Sequence, residues 1–232
     1  MEFIGIIGAM EEEILALKNK MDVQEVRSIA SLDFVIGFLN GKKTVVVRGG
    51  IGKVNAAVCT QILIDVFYVD AIINTGVAGA LHNKLEIGDI VISKDAIEHD
   101  FDARNFGYEV GQIPRMDNSV FSSDSHLIKL AYDAGEALDS NVTIHIERIV
   151  SGDQFIASDD KKEYLRDKFG AYCTEMEGAA IAHVCELNKV PCVIIRAISD
   201  KADSSADINF NEFVNEAAAN SCKMIEGMMK VL

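Results

Sequence analysis

The 232-residue chain carries 22 Lys and Arg against 36 Asp and Glu, a net charge of −14, and is 49% hydrophobic. That balance excludes sequence-independent binding to nucleic acid or to an anionic membrane, both of which need clustered cations; a small anionic group in a local site stays possible. The length suits one large domain, 1–232, that buries its core without staples.

Cys59, Cys173, Cys185, Cys192 and Cys222 form no CxxC pair, so neither a disulfide framework nor a zinc site is indicated. Buried free thiols in a reducing compartment are expected. The N-terminus lacks the basic start and unbroken apolar region of a signal peptide, and no segment approaches ~18 consecutive apolar residues. A cytoplasmic protein is expected.

In chain order, short β-rich runs alternate with longer helical patterns. A strand is predicted over Phe3–Gly8 and a helix over Glu11–Met21. Strands over Asp33–Leu39 and Thr44–Arg48 precede a helix over Val54–Phe67. Strands over Ala71–Asn74 and Asp89–Ala96 lead into an irregular stretch at about 97–123, whose aromatics favour a lid or a partner contact over disorder. The pattern resumes with helix Asp124–Leu138, strand Thr143–Ser151, helices Asp159–Phe169 and Met176–Asn188, strand Pro191–Ser199 and helix Asn211–Val231. Runs such as "AIINTG" and "CVIIRAIS" are apolar nearly throughout, as strands covered on both faces are. The alternation predicts a three-layer α/β domain, with no repeat and no linker.

In such sheets ligands gather outside the carboxyl ends of strands. Strand one runs into "GAMEEE", where Glu11–Glu13 suit a helix start or place one carboxylate inward. On a helical wheel Glu11 shares the side of Ile14 and Leu15 while Glu13 shares that of Leu17, so periodicity does not choose between them. "RGGIGKV" fails the Walker A pattern, because Val47 and Val54 stand where glycine and Ser/Thr are needed. It reads as a strand-to-helix turn or a pocket lining. "CTEMEGAAIAHVCE" reads as a buried helix with Glu175 and Glu177 at its start and His183 as a satisfied core histidine. Arg196, inside the last strand, needs a carboxylate partner. Asp200 after it either initiates a turn or does chemistry. No serine or cysteine has the neighbours of a covalent nucleophile, and no His pattern suggests a metal, so acid–base work by carboxylates remains.

The segments "IGIIGAMEEE", "GGIGKVNAA", "INTGVAGAL", "IVSGDQFI", "TEMEGAAIAHVC" and "VIIRAISDKAD", in order over the whole chain, closely resemble the 5′-methylthioadenosine/S-adenosylhomocysteine nucleosidases. The resemblance implies a nucleoside phosphorylase-like fold, a three-layer α/β/α arrangement around a central mixed, twisted sheet. It implies hydrolysis of the N-ribosidic bond of both thioether nucleosides, releasing adenine, by a homodimer that needs no metal or cofactor. Carried onto matching positions, Glu13 would activate water, Asp200 would protonate adenine N7, and Ser199 would orient Asp200. Glu177 would bind the ribose hydroxyls, with Met176 against the sugar and Arg196 pairing within the carboxylate cluster. Phe155 would stack on the purine and Ile156 would read its edge. Met10, Ile51 and Phe210 would line the 5′-alkylthio pocket, to which a second subunit would bring Phe106, Tyr108 and Pro114.

Two positions depart from the pattern. Val77 replaces a serine near the catalytic water. Asn74 stands where related phosphorylases carry a phosphate-binding arginine, which favours water as the nucleophile. A phosphorylase of the same fold, a hydrolase of another 6-amino nucleoside, and a nucleoside-binding protein without catalysis are the alternatives. The last predicts loss of a pocket carboxylate, yet Glu13, Glu177 and Asp200 are all present.

Overall fold

A computed structural model of the chain describes residues 1–138 and 141–232. The strands are β1 (Phe3–Gly8), β2 (Asp22–Ile29), β3 (Leu32–Leu39), β4 (Lys42–Arg48), β5 (Ala71–Ala80), β6 (Ile90–Glu98), β7 (Phe121–Ser122), β8 (Ile144–Ser151), β9 (Cys173–Glu175) and β10 (Cys192–Asp200). The helices are α1 (Leu15–Lys18), α2 (Lys53–Asp65), α3 (Ser125–Gly135), α4 (Asp159–Phe169), α5 (Gly178–Asn188) and α6 (Ala206–Met229).

The strands form one mixed sheet. β1 lies parallel between β4 and β5, and β4, β3 and β2 extend one wing antiparallel. On the other side β5 runs parallel to β10, β10 pairs antiparallel with β6, and β8 and β9 follow in parallel. The last two residues of β5, Gly79 and Ala80, then pair back onto β9, so this half closes on itself like a barrel. Successive side chains of a strand face opposite ways, and here they enter different cores. Ile7 and Ile72 pack with α2 and α5, whereas Ile6 and Ile73 pack with α1, α3 and α6. Both faces of the central strands are therefore covered, and the α/β/α layering holds.

Most predicted elements are present, with shifted ends. The helix expected from Glu11 shrinks to Leu15–Lys18, because Glu11–Glu13 form a turn. "TGVAGA", read as a loop after a strand ending at Asn74, is strand to Ala80; its small residues are buried and keep pairing with β10. "CTE" is a short strand, not the start of a helix, since its backbone bridges β8 and β5. β2 was not expected from the sequence; seven of its eight residues are exposed, which leaves little apolar pattern.

Candidate active site

The carboxyl ends of β1, β5, β9 and β10 converge on a cavity of about 420 Å³. Met10, Glu13, Ile51, Val77, Phe155, Ile156, Met176, Glu177, Ser199, Asp200 and Phe210 all line it. The sequence had singled out each of these from seven separate segments. Arg196 lies just behind the wall, and Phe106, Tyr108 and Pro114 lie outside it.

Glu13 is 3% exposed and is held by backbone alone. Its Oε2 accepts the N–H groups of Ala9 at 2.7 Å and Met10 at 2.9 Å, and its Oε1 accepts that of Val77 at 3.1 Å. The carboxylate thus closes its own turn and ties β1 to β5. Burial pushes its pKa up, while Arg196 and the three N–H groups oppose the rise. Because Val77 contributes its backbone N–H, the missing serine hydroxyl leaves this anchor intact.

Arg196, fully buried on β10, finds its carboxylate partner in Glu175 of β9, and Nη2 lies 3.9 Å from Glu177 Oε2. Nη2 also donates to Asn74 Oδ1 at 2.6 Å, and the Asn74 amide donates to the Ile7 carbonyl at 2.9 Å. Asn74 is therefore a bracket that ties the guanidinium to β1. Arg196 Nη1 is buried without a hydrogen-bond partner. A side chain at position 76 would collide with both Arg196 Nη1 and Glu13 Oε1, so glycine there lets the two groups converge.

Glu175 also accepts the N–H groups of Glu177 at 3.1 Å and Gly178 at 2.8 Å, satisfying the first donors of α5. It takes the helix-start role considered for both glutamates, which frees Glu177 for the cavity. Glu177 Oε1 accepts the Gly52 N–H at 2.8 Å. Burial and the neighbouring Glu175 push Glu177 up to about 8, against the pull of Arg196 and Gly52.

Asp200 is 2% exposed. Its Oδ1 accepts the Ala202 N–H at 2.8 Å and its Oδ2 accepts the Ser199 hydroxyl at 2.9 Å. Burial raises its pKa, offset in part by those two bonds. Asp200 thus closes a turn and faces the cavity with the same side chain. Three buried carboxylates with raised pKa values line one cavity, an arrangement suited to splitting acid and base roles between them.

Phe155, half-exposed at the mouth, meets Phe210 edge-on with ring centroids 5.9 Å apart. Phe106 is 83% exposed in a 3₁₀ turn, Arg104–Phe106, and touches no part of the cavity wall in this chain. His183 stacks on Phe121 at 4.5 Å and its Nδ1 lies 2.9 Å from Glu98. All five thiols are buried and form no disulfide, and burial pushes Cys59 up to about 12, which makes that thiol a poor nucleophile. Among the described residues no group of His, Cys, Asp or Glu is arranged to hold a metal ion, and no helix is long and apolar enough to cross a membrane. Sequence reasoning did not single out Gln154 and Thr174 of the wall, or Asn74 as the bracket of Arg196. They carry no pattern of their own and are recruited by strand pairing.

The family model described as the phosphorylase superfamily matches residues 3–230. A 5′-methylthioadenosine/S-adenosylhomocysteine nucleosidase of Staphylococcus carnosus is 46% identical over 230 residues, covering 99% of this chain and 100% of the relative. Among solved structures, the nucleosidase of that name from Neisseria meningitidis, in complex with methylthio-immucillin-A, superposes with a TM-score of 0.96 at 42% identity, covering 100% of both chains. The futalosine hydrolase of Helicobacter pylori superposes with a TM-score of 0.94 at 34% identity, covering 100% of this chain and 98% of that one.

Proposed function

The chain belongs to the 5′-methylthioadenosine/S-adenosylhomocysteine nucleosidases of the phosphorylase superfamily, and from that membership we propose how its cavity works. The enzyme hydrolyses the N-ribosidic bond of 5′-methylthioadenosine and S-adenosylhomocysteine, as one domain over residues 1–232, in the cytoplasm. The purine lies between Phe155 and the Asp200 end, its edge read by the Ile156 backbone. The ribose hydroxyls lie on Glu177 with Met176 beside the sugar, and the 5′-thio tail points to Met10, Ile51 and Phe210.

Asp200 passes its proton to N7 as the C1′–N9 bond breaks, so that adenine departs neutral. An ordinary aspartate, with a pKa of about 3.9, is a poor proton store near neutrality; burial of Asp200 acts in the needed direction. The sugar left behind is oxocarbenium-like, and the negative charge of Glu13 and Glu177 stabilises it. A water on the cavity side of Glu13 gives its proton to that carboxylate while its oxygen bonds to C1′. The products are adenine and the 5-thioribose.

The observation that carries hydrolysis over phosphorolysis is Asn74. Its amide is neutral and already bonds Arg196 and the Ile7 carbonyl, so it offers phosphate no charge where an arginine would. A related 6-amino nucleoside is the second reading for the same pocket, since a structure of this fold is named for hydrolysis of a different nucleoside, futalosine. Adenine release from each of the three substrate types, compared by kcat/KM, tests the reading. Both thioether nucleosides should be cleaved, and cleavage of neither would overturn it.

A second copy of the chain completes the pocket, bringing Phe106, Tyr108 and Pro114 to the 5′-thio end of its neighbour. Exposure supports this: Ile51 at the cavity mouth is 54% exposed, Val54 beside it 75%, and Phe106 83%. Apolar surface of this kind marks interaction sites. Sedimentation at micromolar concentration should give a dimer; a monomer throughout would contradict the shared pocket.

A further inference from the structure

Lys53, the first residue of α2, does not line the cavity, yet two segments that build its wall are tied to it. Its Nζ lies 2.6 Å from Asp100 Oδ1 and 3.1 Å from Glu98 Oε2. Its backbone N–H donates to Asp153 Oδ1 at 2.8 Å, and the Asp153 N–H donates to Asp100 Oδ2 at 2.9 Å. Asp100 therefore bridges the Lys53 ammonium and the start of the Asp153–Ile156 segment. One residue before Lys53, Gly52 holds φ at +93°, and a Cβ there would lie 3.0 Å from Asp153 Oδ1. Only glycine suits that backbone. The Gly52 N–H is the donor that reaches Glu177 Oε1.

We propose that Lys53, clamped by Asp100 and Glu98, is a positioning residue that keeps the Gly52 N–H on Glu177 and so sets the grip of the site on the ribose hydroxyls. The clamp is strong for a side chain near the surface. Burial works against the Lys53 charge, but the bonds to Asp100 and Glu98 outweigh it and hold the ammonium above its ordinary range. Glu98 is itself held by the His183 ring on α5, so the node ties the α2 entrance, the end of β6 and α5 together.

Glu177 depends on this support because its surroundings disfavour its charge. Glu175 on β9 and Glu13 after β1 repel it, and burial adds to their effect. Arg196 on β10 and the Gly52 N–H favour the ionised form, and it is the ionised form that accepts hydroxyl hydrogens on both oxygens. Arg196 is fixed by Glu175 and Asn74, whereas the Gly52 N–H sits on a loop held by the Asn55 amide at Ile51 and by the Lys53 ammonium on its far side. Loss of the ammonium leaves the loop its backbone bond from Lys53 N–H to Asp153 but removes its tie to Asp100 and Glu98, so the Gly52 N–H is held less firmly on Glu177, while the Asp153 N–H keeps its bond to Asp100.

The inference rests on the reading of Glu177 as the ribose-binding carboxylate, and the experiment separates the two. KM and kcat are measured for 5′-methylthioadenosine and for its 2′,3′-dideoxy analogue, with adenine as a competitive inhibitor, in the wild type, Lys53→Met and Lys53→Arg. Lys53→Met should lose about tenfold in kcat/KM on the ribonucleoside, the scale of one hydrogen bond to a charged group. The dideoxy analogue and adenine should change by no more than about twofold, and Lys53→Arg should restore the ribonucleoside. Glu98→Gln, which removes the charge opposite Lys53 without touching the bond from the Asp153 N–H to Asp100, should repeat the selective loss and carries the comparison if Lys53→Met does not fold. A parallel loss on both nucleosides and adenine, or an unchanged ribonucleoside, would overturn the clamp. A wild type that does not discriminate between the two nucleosides overturns the ribose role of Glu177 and the clamp with it.

Discussion

Asp200→Asn is expected to bind the nucleoside and fail to cleave it, with kcat lower by about 10²-fold or more, the range of general acid catalysis. The asparagine can keep both bonds of the native side chain: Oδ1 still accepts the Ala202 N–H, and the amide can donate to Ser199, whose hydroxyl turns to suit. It can also donate a hydrogen bond to N7, but it has no proton to transfer. Affinity for a substrate analogue should therefore stay within a few-fold of wild type. The pH profile adds an independent reading. An acid whose pKa is raised by burial works below that pKa, so wild-type kcat falls as pH rises through it, and Asp200→Asn should lose this alkaline limb. Near-wild-type turnover in the variant would remove Asp200 from the acid role.

Glu13→Gln should cost about 10²- to 10⁴-fold in kcat through loss of the base, and it should also disturb the turn it closes. Both oxygens of Glu13 accept backbone N–H groups, Ala9 and Met10 on one side and Val77 on the other. An amide must turn its NH₂ toward one of these donors, leaving a buried N–H unpaired at a cost of about 1–3 kcal/mol. A drop in melting temperature should therefore accompany the loss of activity here and be much smaller in Asp200→Asn. Adenine inhibition, which does not engage the water site, measures whether the pocket survives. If Glu13→Gln turns over at the wild-type rate while Glu11 or Glu12 variants do not, the base has been assigned to the wrong member of the triplet.

Glu13 and Asp200 were marked as candidates because each stands where an apolar run stops against small residues, and only the family resemblance chose Glu13 from its neighbours; both line the cavity. Their partners were harder to see. Glu175 and Glu177 look equivalent in "TEMEG", and only the short β9 separates them, turning Glu175 toward Arg196 and the start of α5. Three residues are too few for a period-2 pattern. The turn at Glu11–Glu13 was read as helix because acidic residues suit a helix start; the capture of Glu13 by Ala9 and Met10 N–H groups overrides that local preference. β5 runs six residues past its expected end because β10 and β9 supply pairing partners from more than ninety residues away. The roles of Phe106, Tyr108 and Pro114 rest on a second chain, which no local pattern within one chain reveals.

The central claim is that water, not phosphate, attacks the sugar in this pocket. It is tested most directly by following adenine release from 5′-methylthioadenosine in phosphate-free buffer and again with phosphate added. Release at full rate without phosphate, with free 5-methylthioribose as the only sugar product in both media, is the predicted result. An absolute requirement for phosphate, with a sugar 1-phosphate as product, would contradict it.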